Sequence, residues 1–234
     1  MTLKADAVIL VSGGLDSAVV LASVHHLKSI ALFIHYGQRH KAELDCAIEL
    51  TRWYRVPLHQ VELPISELST PTFLTDRSVR TVDKVTKEED IPNTWVPFRN
   101  MMFLTTAAMI AHRMGAREIY TGVNAVDYSG YPDCRPGFIK AMQEALNMAL
   151  PKEMRGLKIQ TPLINMSKAD IVRWGHSLKV PFEVTNSCYN PMYTYEEGDE
   201  FPRLMACGEC PSCEIRKKAF KEAGIKDPIL YKTK

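Results

Sequence analysis

Apolar residues along this chain fall into two rhythms that alternate from the amino terminus onward. The run Val8-Ile9-Leu10-Val11 is continuous and rich in β-branched side chains, the pattern of a strand buried on both faces of a parallel sheet. Polarity breaks at Ser12-Gly13-Gly14, and from Leu15 the spacing of Val19, Val20, Val24 and Leu27 predicts a helix over 15–27. Ile30, Leu32, Phe33 and Ile34 mark a second buried strand over 29–35. Leu44, Ala47, Ile48 and Leu50 give an amphipathic helix over 39–55, with Cys46 near its apolar face as a packing residue. Further strands are expected over 58–63, 118–121 and 158–163, and further helices over 101–113, closed by Gly115, and over 137–149. Another helix starts at Ser167-Lys168-Ala169-Asp170, with Asp170 in the capping-box position. Alternation of this kind predicts an α/β fold, a parallel twisted sheet with helices on both faces.

Residues 64–93 keep neither rhythm, and a charged run fills 83–90. So long a stretch inside a compact domain is either a solvated excursion or a lid over a site.

Candidate chemistry gathers at strand ends, where α/β sheets hold their ligands. In Ser12-Gly13-Gly14 the missing side chains let backbone N–H groups approach a ligand, and Asp16 and Ser17 open the following helix. The loop lacks the lysine and final Ser/Thr of a Walker loop, so it cradles phosphate in another way. Arg99 and Asn100, at the start of the 101–113 helix, are placed to meet an anion or a base edge. The stretch 122–137 carries Asp127, Asp133, Tyr128, Tyr131 and Arg135 with no helical or strand period. Carboxylates accept from ring N–H and amino groups, tyrosines stack and arginine grips anions, which together suit a planar polar heterocycle. Cys134, in the same stretch, is read as structural.

Near the carboxyl end, Cys188 is followed after a long spacer by Cys207-Gly208-Glu209-Cys210-Pro211-Ser212-Cys213. Four thiolates in two overlapping Cys-x-x-Cys pairs plus one distant cysteine fit a closed, structural zinc site. Cys207, Cys210 and Cys213 alone would instead suit an iron–sulfur cluster with one open iron. The division expected is a main domain over 1–185 and a small zinc-binding module over 186–234 packed on it.

Composition narrows the classes. A chain of 234 residues with 46% hydrophobic and 24% charged residues is large enough for one generous core. A net charge of +2 gives no global reason to wrap nucleic acid or lie on a membrane. No apolar stretch is long enough to span a bilayer, and no signal-peptide pattern opens the chain, so a cytoplasmic protein is expected. Six cysteines in a reducing compartment point to ligands or core residues before disulfides.

The Ser-Gly-Gly-x-Asp-Ser pattern resembles the pyrophosphate loop (PP-loop) of the N-type ATP pyrophosphatases. It implies an adenine nucleotide alpha hydrolase-like, Rossmann-like fold that splits ATP between its α and β phosphates. Together with Tyr36-Gly37-Gln38-Arg39-His40, the Val-Pro-x-Arg-Asn segment at 96–100, and Val126-Asp127-Tyr128-Ser129-Gly130-Tyr131-Pro132-Asp133-Cys134-Arg135, it makes the chain similar to the 7-cyano-7-deazaguanine synthase family. The resemblance implies that a 7-carboxy-7-deazaguanine carboxylate is adenylated and attacked by ammonia, and that a second ATP converts the amide to a nitrile. It implies ATP, Mg2+ and Zn2+ as cofactors and assigns ATP to Val11, Ser12, Gly13, Gly14, Leu15, Asp16, Ser17 and Gly122. Asp16, Ser17, Arg99 and Lys168 are the candidate catalytic residues. Substrate contacts are expected from Gln38, Arg39, Asn100, Asp127, Tyr128, Tyr131, Asp133 and Arg135. The partners expected are a small deazapurine and ammonia, with no membrane or stable nucleic-acid contact, and a homodimer.

Two features depart from the family pattern: residues 192–206 read as an insertion, and Phe98 stands where a small residue is usual. Diverged ligases that stop at the amide or join another amine, a tRNA thiolation enzyme and a non-catalytic nucleotide sensor are the alternative readings.

Overall fold

The computed structural model describes residues 4–80, 82, 91–125, 131–195 and 203–232. Strand β1 (Ala7–Leu10) leads through the glycine turn into helix α1 (Leu15–Val24), β2 (Ser29–His35), α2 (Ala42–Tyr54) and β3 (Leu58–Glu62). A single-turn helix α3 (Ile65–Leu68) follows, then α4 (Arg99–Met114), β4 (Glu118–Tyr120), α5 (Pro136–Met148), β5 (Lys158–Gln160) and α6 (Lys168–Ser177). These strands form a parallel five-stranded sheet in the order β3-β2-β1-β4-β5. The chain order therefore reverses at β1, and the crevice beside its carboxyl end is the natural ligand position.

Strand periodicity explains how both faces are covered. Ile9, Val11, Ala31 and Phe33 point into a core shared with α1, α2, α6 and the later helix α7 (Pro211–Ala223). Val8, Leu32, Ile34 and Ile119 point the other way, against Leu104, Ala107 and Ile110 of α4 and Ile139 and Met142 of α5. The parallel sheet with helices on both faces is thus as the pattern predicts. Cys46 lies buried among these contacts, and burial pushes its thiol up to about 12, which fits a packing role.

Element ends differ from the periodicity in physically legible ways. Helix α1 stops at Val24, because the exposed His25 and His26 continue no apolar stripe, and the chain turns there into β2. Helix α2 begins only at Ala42, since residues 36–40 are held in a separate turn in which Tyr36 N–H donates to Gln38 Oε1 at 2.8 Å. Helix α4 starts earlier than expected, at Arg99, entered through an exposed Phe98 in the left-handed region at φ 62°. Ser167 is the N-cap of α6, its Oγ accepting from Asp170 N–H at 3.1 Å, so Asp170 does stand in the capping-box position.

The stretch read as an insertion contains two strands that periodicity did not show. β6 (Met192–Thr194) pairs antiparallel with β7 (Arg203–Ala206), and β7 pairs parallel with β8 (Leu230–Tyr231). The acidic pairs at 196–200 and the charged run at 83–90 lie outside the described residues. Among the described residues, no helix is long and apolar enough to cross a membrane.

Candidate active site

A cavity of about 1370 Å³ opens over the carboxyl ends of β1, β2 and β4. The glycine turn forms its floor. Ser12 N–H donates to Ser17 Oγ at 3.2 Å, and Ser17 Oγ donates to Gly14 O at 3.0 Å, so the buried Ser17 closes the loop on itself. Gly13 has φ +76°, and a Cβ there would lie 2.3 Å from the backbone oxygen of Glu43 and 2.8 Å from Cys46 Cβ. Only glycine lets the loop lie this close to α2. A Cβ on Gly122 would meet the backbone of Asp16 and Ser17 at 3.2 Å, so this glycine brings the end of β4 against the start of α1.

Asp16 stands at the lip of the loop and pairs with Lys168, the first residue of α6. Its other oxygen, Oδ1, is buried with no hydrogen-bond partner. Both residues line the cavity, as do Val11, Ser12, Gly14, Leu15 and Ser17. Asn124 fixes the loop after β4 by donating to the backbone oxygens of Leu163 and Met166.

The opposite wall is organised around Arg99. Its guanidinium carbon lies 5.3 Å from the ring centre of Tyr36, 6.0 Å from Phe103 and 5.9 Å from Tyr131. Nη1 donates to Tyr36 Oη at 3.4 Å, while Nε is buried without a partner. Burial opposes the charge, but Tyr36, Tyr131, Asp133 and Cys134 around the guanidinium hold its pKa above the usual value. Tyr131 Oη bonds Thr94 Oγ1 at 2.8 Å, and burial raises the phenols of both Tyr36 and Tyr131, which therefore stay neutral at physiological pH.

The remaining expected residues divide. Asn100 lines the cavity. Its backbone N–H donates to Asp133 Oδ2 at 3.1 Å and its side chain to Cys134 Sγ at 3.2 Å. Buried Asp133 therefore caps the amino end of α4 from a neighbouring segment and is not among the cavity-lining residues. Arg135 is exposed at the amino end of α5, away from the cavity. Gln38 shapes the turn after β2. Arg39 donates to the backbone oxygens of Asp76 and Val79, and its guanidinium lies 4.2 Å from the ring centre of Phe73. Gln38 and Arg39 thus hold the walls and do not line the cavity. Asp127 and Tyr128 lie outside the described residues.

Phe73, Leu74, Arg80, Val82 and Pro92 line the cavity, so the described part of the 64–93 stretch supplies a wall of the site. Glu43 also faces the cavity, and the sequence reading passed over it. The signal was present: Glu43, Cys46, Ala47 and Leu50 form one i, i+3, i+4, i+7 stripe, and a carboxylate on a buried stripe demands a reason.

The third wall comes from the cysteine segment. The sulfurs of Cys188, Cys207, Cys210 and Cys213 all lie within 4.8 Å of one another, and Cys207 and Cys213 are 3.9 Å apart. Tetrahedral zinc with bonds of about 2.3 Å would space its sulfurs by about 3.8 Å. Backbone N–H groups of Asn190 and Cys207 both donate to Cys188 Sγ at 3.2 Å, and that of Cys210 donates to Cys207 Sγ at 3.4 Å. Donors aimed at sulfur stabilise thiolates, so the four cysteines fit a metal ion.

Comparisons with known proteins give the family. The family model for queuosine biosynthesis protein QueC matches residues 6–224. A 7-cyano-7-deazaguanine synthase of Leptospira interrogans is 44% identical over 94% of this chain and 88% of its own length. Another, from Coxiella burnetii, is 45% identical over 97% of this chain and 98% of its own. Among solved structures, NMN synthetase from Francisella tularensis is 19% identical with a TM-score of 0.46, covering 79% of this chain and 66% of that one. With the PP-loop turn, the arginine wall and the four-cysteine cluster on one cavity, the chain belongs to the queuosine biosynthesis protein QueC family.

Proposed function

We propose that this protein is a carbon–nitrogen ligase that converts 7-carboxy-7-deazaguanine and ammonia to 7-cyano-7-deazaguanine, releasing AMP and pyrophosphate at each of two activations. The observation that carries the reading is Arg99, a charged guanidinium boxed by three aromatic rings across the cavity from the PP-loop, with a buried N–H still unpaired. A buried donor without a partner is costly, and a substrate carboxylate beside a flat heterocycle supplies one. Tyr36 and Tyr131 offer faces for that ring.

Activation is needed because a carboxylate is a poor acyl donor. Backbone N–H groups of the Ser12-Gly13-Gly14 turn hold the phosphates, and Lys168 stands beside them to stabilise the charge that develops. The partnerless Oδ1 of Asp16 fits Mg2+, which would neutralise phosphate charge. Asn100, its amide nitrogen held by Asp133 O and Cys134 Sγ, offers its side-chain oxygen to the acceptor. Cys188, Cys207, Cys210 and Cys213 would hold Zn2+ with no open position, a structural role that pins the 186–234 segment beside the 1–185 domain. The product is handled as a small molecule in the cytoplasm.

The test is mass spectrometry of products after incubation with 7-carboxy-7-deazaguanine, ATP, magnesium and ammonium. A nitrile, with AMP formed for both activations, supports the synthase. The amide alone, or AMP only when another amine is supplied, would make the protein a diverged ligase. ATP binding without AMP would leave a nucleotide sensor.

A further inference from the structure

Resting on the reading above, a half-buried carboxylate of the cavity stands without a partner among the described residues. Glu43 projects from the first turn of α2 into the same space as Arg99, Tyr36 and Asp16, and its carboxylate makes no hydrogen bond or ion pair with any described residue. It is not spent on the fold. Of the other described carboxylates that line the cavity, Asp16 is paired with Lys168 through Oδ2, and Glu209 and Glu214 are solvent-exposed at its cysteine wall. That leaves a carboxylate on an apolar stripe, beside the loop that would activate the substrate, free to accept.

The proposed chemistry needs such an acceptor at nitrogen. Ammonium is the main form of ammonia near neutral pH, and it is not a nucleophile until a proton leaves. We propose that Glu43 is the base that takes protons from the nitrogen as ammonium becomes amide and amide becomes nitrile. In the first half, ammonium gives one proton to the Glu43 carboxylate, and the freed lone pair forms the C–N bond at the activated carbonyl carbon. The C–O bond to AMP breaks with its electron pair, and nitrogen loses a second proton to leave a neutral amide. In the second half, the amide oxygen bonds to the α-phosphorus as pyrophosphate departs. Nitrogen sheds its last two protons, one at that activation and one as the second C–O bond to AMP breaks and the nitrile forms. Between steps Glu43 returns each proton to water in the open cavity.

The groups around Glu43 set its basicity. Burial raises it and Arg99 from α4 draws it down, for a net value of about 7, while its charge in turn raises Tyr36 at the end of β2 and Cys46 on its own helix. A base poised near the working pH is the efficient one.

The experiment compares wild type with Glu43→Gln and Glu43→Asp in two assays. Carboxylate-dependent exchange of pyrophosphate into ATP, without ammonium, reads adenylation. Amide and nitrile formation reads nitrogen chemistry, with total ammonium held fixed across the pH series. Glu43→Gln is expected to slow nitrogen chemistry by about 10²–10⁴-fold and exchange far less, with Glu43→Asp between. With ammonium in fixed excess, the wild-type rate is expected to rise with pH and level off above about 7, whereas that of Glu43→Gln keeps rising with free ammonia. An equal fall in both assays, amide formation within about threefold of wild type, or a wild-type rate that follows free ammonia alone would overturn the assignment. Wild type that makes no nitrile would remove the proposed function itself, whereas failure of the Glu43 assignment leaves wild-type nitrile formation intact.

Discussion

At the scale of single residues, the site is a set of groups that folding leaves unsatisfied. Glu43 shows the cost most clearly, and the sign of its effect can be worked out. Burial raises its carboxyl from 4.5 to about 7, against the pull of Arg99. Below about pH 4.5 both folded and unfolded chains hold the proton, so nothing is lost. As pH rises from there to about 7, the unfolded chain ionises first and stability falls; above that the penalty is constant. Glu43→Gln removes the penalty. Its melting temperature is expected to exceed that of wild type at about pH 8 and to approach it at about pH 4, as thermal scans by circular dichroism would show. Equal melting temperatures at both values would mean that the carboxylate is well solvated. The sequence made Asp16 and Arg99 legible because each sits in a motif at a helix start. It hid Glu43 because a glutamate in a first turn reads as an ordinary dipole partner until the stripe it shares with Cys46, Ala47 and Leu50 is drawn.

Among elements, the buried strands were legible because a strand covered on both faces has little freedom in composition: β1, β2 and their helices follow the apolar pattern closely. The small second sheet was not legible. β6, β7 and β8 have few residues each and mostly half-exposed patterns, so no period develops. Nor was the role of α7, whose Phe220 and Ala219 complete the core of the main sheet. Arg216 fastens this helix. Its guanidinium, with side-chain exposure of 2%, bonds both oxygens of Asp227 at 2.9 and 3.0 Å, Thr185 Oγ1 at 2.7 Å and the backbone oxygen of Phe182 at 3.2 Å. Asp227 accepts in turn from Tyr231 Oη in β8 at 2.7 Å. One arginine so joins α7, the segment before Cys188 and the last strand. Arg216→Ala strands the Asp227 charge in a dry setting and is expected to cost about 3–5 kcal/mol in denaturant unfolding, whereas Arg216→Met with Asp227→Leu recovers most of it. A loss under about 1 kcal/mol for the single change would mean that water reaches the pair.

Across the whole molecule, the main sheet and the cysteine segment are stabilised by different means, and removing metal should separate them. The parallel sheet draws on two apolar clusters that contain none of the four clustered cysteines. The cysteine segment has a far smaller cluster, in which Cys188, Cys213 and Ala206 are the buried residues. Four sulfurs within 4.8 Å of one another repel as thiolates and pack poorly as thiols, so only a cation makes their arrangement favourable. A strong chelator is therefore expected to release 188–213 while β1, β2 and β4 persist. Hydrogen exchange reads this amide by amide. Protection should fall at Asn190, Cys207 and Cys210, whose N–H groups donate to sulfur, and hold at Val11, which donates to Leu32 O at 3.0 Å. Zinc added back should restore the lost protection. Because Cys188, Cys207 and Cys210 also line the cavity, the metal-free protein should close its site less tightly, so affinity for the acceptor should weaken while the PP-loop still binds nucleotide. Loss of protection at Val11 in step with Cys207 would show instead that the metal holds the whole fold as one cooperative unit.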